Sequence, residues 1–269
     1  RTAHGGEARP LTALVPEARE LLTGARSVLV LTGAGVSAES GVPTFRGPDG
    51  LWRTHRPEEL ATPEAFARDP QTVWEWYAWR RGFTADCDPN HGHLALARLA
   101  LGGTPTTIVT QNVDGLQTRA AHEAARGADP SPALPVEVHG AIDRDECSNC
   151  GARTPGTSSV DTSSHGALPR CSTCNGMLRP DVVWFGETLE PEILSRAFQV
   201  AQDADLCLVV GTSALVQPAA SVPLVTLQNG GALIEVNIER TPLSGEARVS
   251  LLGPSGELLP ELLDVGAAT

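Results

Sequence analysis

The chain has 269 residues, 41% of them hydrophobic, a formal net charge of −12 and six cysteines. That acidity speaks against nonspecific nucleic-acid binding, which needs a basic surface to displace counterions from phosphates. No apolar run approaches the roughly 18 residues of a membrane span, so a soluble globular protein is expected, with neither nucleic acid nor membrane as partner.

The first ten residues, RTAHGGEARP, hold no apolar signal core, and a cytoplasmic location is expected. Leu11, Leu14, Val15, Ala18 and Leu22 recur at helical spacing and predict an amphipathic helix. The apolar run at 28–31, VLVL, has the length and branching of a buried parallel strand. It leads straight into Gly33-Ala34-Gly35-Val36-Ser37-Ala38, a Gly-x-Gly-x-x-Ala turn that lets backbone N–H groups approach a dinucleotide pyrophosphate. A hydride-transferring dehydrogenase would then show a second strand and an acidic residue about 20 residues on. Here that place holds the broken polar loop Thr44-Phe45-Arg46-Gly47-Pro48-Asp49-Gly50.

Residues 50–102 read as helices: a Pro63-capped turn, the aromatic segment 73–83, and 93–101. Beyond them, strand patterns at Thr106–Thr110, 136–139, 182–185, 204–211 and 233–237 alternate with helical patterns at 115–125, 191–202 and 219–228. Such alternation predicts an α/β fold, a Rossmann-like, doubly wound, mostly parallel sheet. Cys147-x2-Cys150 and, 20 residues on, Cys171-x2-Cys174 have the spacing of a zinc ribbon. Four sulfurs close a tetrahedron without an open position, so one Zn2+ there would be structural; two disulfides are the alternative, disfavoured without an export signal. Cys207 reads as core, and Cys87 sits in a polar loop without evident role. The expected division is a Rossmann-like nucleotide-binding domain from 1–49, 103–141 and 179–269. A smaller lobe comprises the helical module 50–102 and the four-cysteine zinc ribbon 142–178.

Several strand ends carry candidate chemistry. Gln111, Asn112 and Asp114 can bond ribose hydroxyls and a nicotinamide carboxamide, or Asn112 or Asp114 can cap the next helix. His139, before Gly140, can act as a general base near neutral pH or be structural. His91 and His93, beside a helix start, read as capping or packing. Residues 182–187 could pair with an extended peptide or form a plain core strand. Gly211-Thr212-Ser213 and Asn237-Ile238-Glu239 each end a strand and fit an adenosine pocket, or either is a turn alone.

Together GAGVSAESGVPTFRG at 33–47, Gln111-Asn112-Val113-Asp114, His139-Gly140, the four cysteines, residues 182–187, Gly211-Thr212-Ser213 and Asn237-Ile238-Glu239 resemble, in this order, the sirtuin family of NAD-dependent protein-lysine deacylases. The likeness spans about 28–263. It implies NAD, consumed as co-substrate, between the Rossmann-like domain and a zinc-bearing lobe, with the acyl-lysine of a protein or peptide entering from the other side. Gly33, Ala34, Gly35, Ser37, Glu39, Thr44, Phe45, Arg46 and Trp52 would then hold the pyrophosphate and ribose region, with Phe45 shielding the anomeric carbon. Gln111, Asn112 and Asp114 would position ribose and carboxamide. Gly211, Thr212, Ser213, Asn237, Glu239 and Ser255 would frame the adenosine, although Ser255 stands where relatives vary. Val183, Phe185, Gly186 and Glu187 would contact the substrate peptide. The chemistry implied is attack of the acyl oxygen on ribose C1′ as nicotinamide leaves. His139, with Asn112 beside it, then takes a proton from a ribose hydroxyl, giving free lysine and O-acyl-ADP-ribose.

Tyr77 and Arg80, three apart in QTVWEWYAWRRG, share a helix face. They resemble the Tyr-x-x-Arg pair of the sirtuin class that removes succinyl, malonyl or glutaryl groups, with weaker deacetylation. A guanidinium fork and a phenol suit a carboxylate. Alternatively Trp74, Trp76, Trp79 and Tyr77 simply pack the lobe, with Arg80 solvated. A general deacetylase, a protein mono-ADP-ribosyltransferase and a noncatalytic NAD sensor remain the competing functions, and the loop at 123–135 is longer than the family's usual link.

Overall fold

The apolar run after residue 27 becomes a wholly buried central strand in a computed structural model that describes residues 10–44, 57–157 and 159–263. In chain order its elements are helix α1 (Leu11–Gly24), strand β1 (Val28–Thr32), a 3-10 helix (Ala34–Ser40), and helices α2 (Pro57–Leu60), α3 (Pro63–Arg68), α4 (Pro70–Ala85) and α5 (His91–Leu101). Strand β2 (Thr106–Thr110), helix α6 (Leu116–Ala125) and strands β3 (Val136–Glu137), β4 (Gly140–Cys147), β5 (Arg153–Pro155) and β6 (Leu178–Val182) follow. Helix α7 (Pro191–Asp203), strand β7 (Leu206–Val210), helix α8 (Val222–Gln228), strands β8 (Ala232–Asn237) and β9 (Val249–Leu252) and helix α9 (Ser255–Leu263) complete the order.

One sheet has the order β3-β2-β1-β7-β8-β9, every neighbouring pair parallel. Alternating residues of β1 feed opposite faces. Val28 and Val30 join a core with α1, α5, α6 and α9, while Leu29 and Leu31 join one with α7 and α8. Strand order reverses between β1 and β7, so their carboxyl ends open a crevice of the kind that takes ligands in doubly wound sheets.

A second, antiparallel sheet, β5-β4-β6, carries the four cysteines. Leu60, Phe66, Val73, Trp74 and Tyr77 from α2–α4 pack against Ile142, Leu168, Leu178 and Trp184 in one shared core. Thr62 and Asp69 start α3 and α4 by accepting the backbone N–H groups of Ala65 and Thr72, both at 3.1 Å, each ahead of a proline at the first helical position. Arg81 of α4 reaches into the ribbon, donating to Ile142 O at 2.7 Å and to the fully buried Asp145 carboxylate at 2.7 Å.

The structure departs from the sequence expectations at definable places. Helix α5 does not join the smaller lobe: its Ala95, Leu96, Ala97 and Ala100 pack in the large core, because this alanine-rich face lets α6 and α9 approach. The strand expected at 182–185 lies instead at Leu178–Val182, and the one expected at 136–139 ends at Glu137. The earlier strand stops there because Gly140, with a φ of +77°, turns the chain from one sheet into the other, where an added Cβ would stand 2.1 Å from Asp181 O. Trp79, expected to pack the lobe, is 54% exposed, and the Gly-x-Gly turn opens a 3-10 helix instead of an α-helix. Cys207 is fully buried, as expected of a core residue.

Candidate active site

The turns after β1 and β7 meet backbone to backbone. Gly35 N–H donates to Gly211 O at 2.7 Å, and a Cβ on Gly211, whose φ is +58°, would stand 2.4 Å from Val36 N. The crevice floor is therefore bare backbone, which fits a dinucleotide lying across it. Its rim is braced from within. Gln111 donates its amide hydrogens to Thr32 O at 3.2 Å and Thr212 Oγ1 at 3.1 Å, and Asn237 donates to Thr212 O at 2.9 Å. Thr212 and Asn237 are buried, whereas Ser213 and Glu239 are exposed at the same edge.

Ser37 is the node of the site's polar network. Its hydroxyl donates to Asp114 Oδ2 at 2.7 Å and accepts from Asn112 Nδ2 at 3.1 Å, and His93 Nε2 lies 3.2 Å away. Asn112 also donates to Gly33 O at 3.1 Å. The His93 tautomer follows from its other nitrogen: the Asn90 backbone N–H, which can only donate, points at Nδ1 from 3.3 Å. The ring hydrogen therefore sits on Nε2 and faces Ser37. One donation and two acceptances engage the hydroxyl, so Ser37 ties Asn112 and Asp114 together. Asp114 also accepts Leu116 N–H at 2.9 Å at the start of α6, as the cap reading of this motif expects. Asn90-x-x-His93 is a capping box with His in the acidic residue's place, so His93 caps and packs as the sequence expects of it.

Glu39, expected near the pyrophosphate, turns elsewhere. Its carboxylate accepts Gly256 N–H at 2.5 Å and the Ser255 hydroxyl at 3.3 Å, tying the 3-10 helix to the start of α9. Thr44 is partly buried; Phe45, Arg46 and Trp52 lie outside the described residues.

His139 stands between the two sheets. Its Nδ1 lies 3.0 Å from Gln111 O, and because a carbonyl only accepts, Nδ1 carries the hydrogen and Nε2 the lone pair. Burial lowers its pKa, partly opposed by that carbonyl, so the ring is neutral and able to take a proton near pH 7.

Cys147, Cys150, Cys171 and Cys174 bring their sulfurs within 4.8 Å of one another, and none forms a disulfide. Separations of 3.5 Å for Cys147–Cys174 and 3.8 Å for Cys150–Cys171 suit the edges of a tetrahedron with Zn–S of about 2.3 Å. Backbone N–H groups of Asn149, Thr173 and Gly176 each donate to a cysteine sulfur at 3.4 Å. Such donors, from Cys174 and Thr173, hold the Cys171 pKa down to about 6. The donor set fits a structural Zn2+ held by all four.

Tyr77 and Arg80 are 1% and 6% exposed, so Arg80 is buried and not solvated. Its guanidinium lies 4.7 Å from the Trp76 ring centroid and 6.0 Å from that of Tyr77. Burial lowers the Arg80 pKa against the opposing pull of Tyr77 and Asp114. Among the expected peptide contacts, Phe185 and Gly186 are exposed and Val183 half-buried, its N–H donating to His139 O at 2.9 Å. The Glu187 carboxylate faces inward, accepting from Arg179 at 2.5 and 2.8 Å and from Trp184 N–H at 2.7 Å. Trp184 is buried, as the core reading of this segment expects, whereas the Arg179–Glu187 pair around it carries no local sequence signal because it depends on the fold of the lobe.

His93 gives this network a pH signature. Burial depresses its pKa to about 4 from 6.5, so between those values the unfolded chain binds a proton that the native state refuses. Its contribution to stability is complete above pH 6.5 and falls as pH drops toward 4. From pH 7 to 5 the protein is expected to lose about 2 kcal/mol more stability than His93→Gln, as read from urea midpoints. An equal loss in both would contradict the assignment.

A model of the Sir2 family matches residues 33–218. NAD-dependent protein deacylase 1 of Archaeoglobus fulgidus is 47% identical over 236 residues, covering 88% of this chain and 91% of that protein. The NAD-dependent protein deacylase of Thermococcus kodakarensis is 47% identical over 253 residues, covering 93% and 95%. Among solved structures, a Sir2 homologue–NAD complex has a TM-score of 0.82 at 44% identity, covering 97% of this chain and 95% of that one. A complex of Sir2 with a deacetylated p53 peptide and 3′-O-acetyl ADP-ribose has a TM-score of 0.80 at 30% identity, covering 94% and 98%. The chain belongs to the Sir2 family.

Proposed function

We propose that this chain is an NAD-dependent protein-lysine deacylase that favours acidic acyl groups (succinyl, malonyl or glutaryl) over acetyl. NAD, when bound, supplies an electrophilic ribose carbon with nicotinamide as leaving group. The chain's residues do the rest. The Gly33–Gly35 and Gly211 turns seat the dinucleotide, Ser37 holds Asn112 and Asp114 in place, and the lone pair on His139 Nε2 takes a proton from a ribose hydroxyl. All 20 Lys and Arg residues in these 269 are Arg, so none of them can supply the substrate lysine.

The observation that carries the acyl preference is the burial of Arg80, at 6% exposure, among aromatic rings. A guanidinium in a site largely withdrawn from water bonds strongly to a carboxylate brought beside it, whereas an acetyl methyl offers it no acceptor. Tyr77 is kept protonated by its burial and retains a hydrogen to donate. A general deacetylase is the second reading, favoured by the deacetylated peptide in the solved relative; the response to Arg80→Met separates the two.

Charged hydrogen bonds contribute about 1.5–3 kcal/mol each, or roughly one to two decades in rate. Arg80→Met is therefore expected to lower kcat/KM on a succinyl-lysine peptide about 10- to 100-fold, with a far smaller change on its acetyl counterpart. Equal losses on both would contradict the preference. His139→Tyr should keep the native circular dichroism spectrum while deacylation falls by roughly 10²–10⁴-fold. Turnover at the wild-type rate would remove His139 from the reaction.

A further inference from the structure

Trp184 is 3% exposed and clamped in place. The Arg179 guanidinium lies 3.6 Å from its ring centroid, and the Phe66 ring packs at 5.2 Å. Glu187 locks both partners, pairing with Arg179 at 2.5 and 2.8 Å while accepting Trp184 N–H at 2.7 Å. The indole so held donates its Nε1–H to the Tyr77 hydroxyl oxygen at 2.9 Å. An indole N–H can only donate, so at this contact Tyr77 can only accept. A phenolic hydrogen lies near the ring plane on one of two sides. With one side taken by the indole, it turns to the other.

We propose that Trp184 is a positioning residue for acyl selectivity: its indole N–H fixes the Tyr77 hydroxyl as a donor facing away from Trp184, available to an acyl carboxylate together with Arg80. Arg179 and Glu187 serve this arrangement by holding the indole rigid. The inference rests on the acidic-acyl reading and adds the group that sets the direction of its phenolic donor. Without the indole N–H the hydroxyl can rotate, and the oriented hydrogen bond to substrate must be drawn from a mixed population.

The test is the ratio of kcat/KM on succinyl- and acetyl-lysine versions of one peptide. Trp184→Phe is measured beside Trp184→benzothienylalanine, which keeps the fused-ring shape and lacks only the N–H; thermal unfolding verifies that each variant is folded. Both are expected to lower the succinyl-to-acetyl ratio about three- to tenfold, the worth of one neutral hydrogen bond. In a Tyr77→Phe background the same changes should leave the ratio where Tyr77→Phe alone puts it, since the hydroxyl they act through is gone. An unchanged ratio, or an equal fall with and without the Tyr77 hydroxyl, overturns the role of Trp184. Arg80→Met separates the two levels: if it leaves the ratio intact, the acidic-acyl reading fails and this inference with it. If it lowers the ratio while the Trp184 variants do not, only the inference fails.

Discussion

At Gly140 the chain passes from the parallel sheet into the smaller lobe, and everything at the site is positioned around that joint. The residue has φ +77°, and its Cα faces the Asp181 carbonyl so closely that a Cβ would stand 2.1 Å from the oxygen. His139 is thereby held between the sheets, its ring bonded to Gln111 O on one side and its carbonyl accepting Val183 N–H on the other. Arg144 reinforces the joint, pairing with Glu137 of β3 at 2.7 Å and Asp181 of β6 at 2.9 Å. The candidate base is thus placed by both lobes at once, which a residue on a free loop would not be.

The smaller lobe uses a few cations at fixed places. Arg81 with Asp145 and Arg144 with Asp181 join segments 64 and 37 residues apart, while Arg144 with Glu137 and Arg179 with Glu187 close spans of 7 and 8 residues. Buried ion pairs add little net stability because desolvation offsets their attraction, but breaking one leaves an uncompensated charge. Their effect here is geometric. Arg81 locks α4 to the ribbon, Arg179 and Glu187 lock Trp184, and between them Tyr77 and Arg80 have little freedom. Arginine suits this work, since its planar fork can bond a carboxylate and a backbone carbonyl together, as Arg179 does with Glu187 and Val182 O.

Local chemistry was legible in the sequence. The Gly-x-Gly turn and the Cys-x2-Cys pairs declared themselves because each acts over a few residues, and β1, β2 and α4 followed from period and composition. Strand β9 and helix α9 went unnoticed: the first has only four residues, Val249–Leu252, and the second contains Pro260. The aromatic pair Trp184-Phe185 drew the strand four residues too late, because its rings pack the lobe or face outward without pairing in the ladder. The network at Ser37 could not be read at all. Its partners His93, Asn112 and Asp114 come from 56 to 77 residues away and meet only when β1, α5 and β2 are assembled. Local spacing showed which residues had useful chemistry, while the fold decided which of them were already engaged with protein groups, as Ser37 and Glu39 are.

The most direct measurement is mass spectrometry of the products formed from NAD and a succinyl-lysine peptide. A crevice that joins dinucleotide, acyl oxygen and His139 predicts nicotinamide, unmodified peptide and O-succinyl-ADP-ribose in equal amounts. Free succinate with NAD intact, or ADP-ribose joined to the peptide, would contradict it.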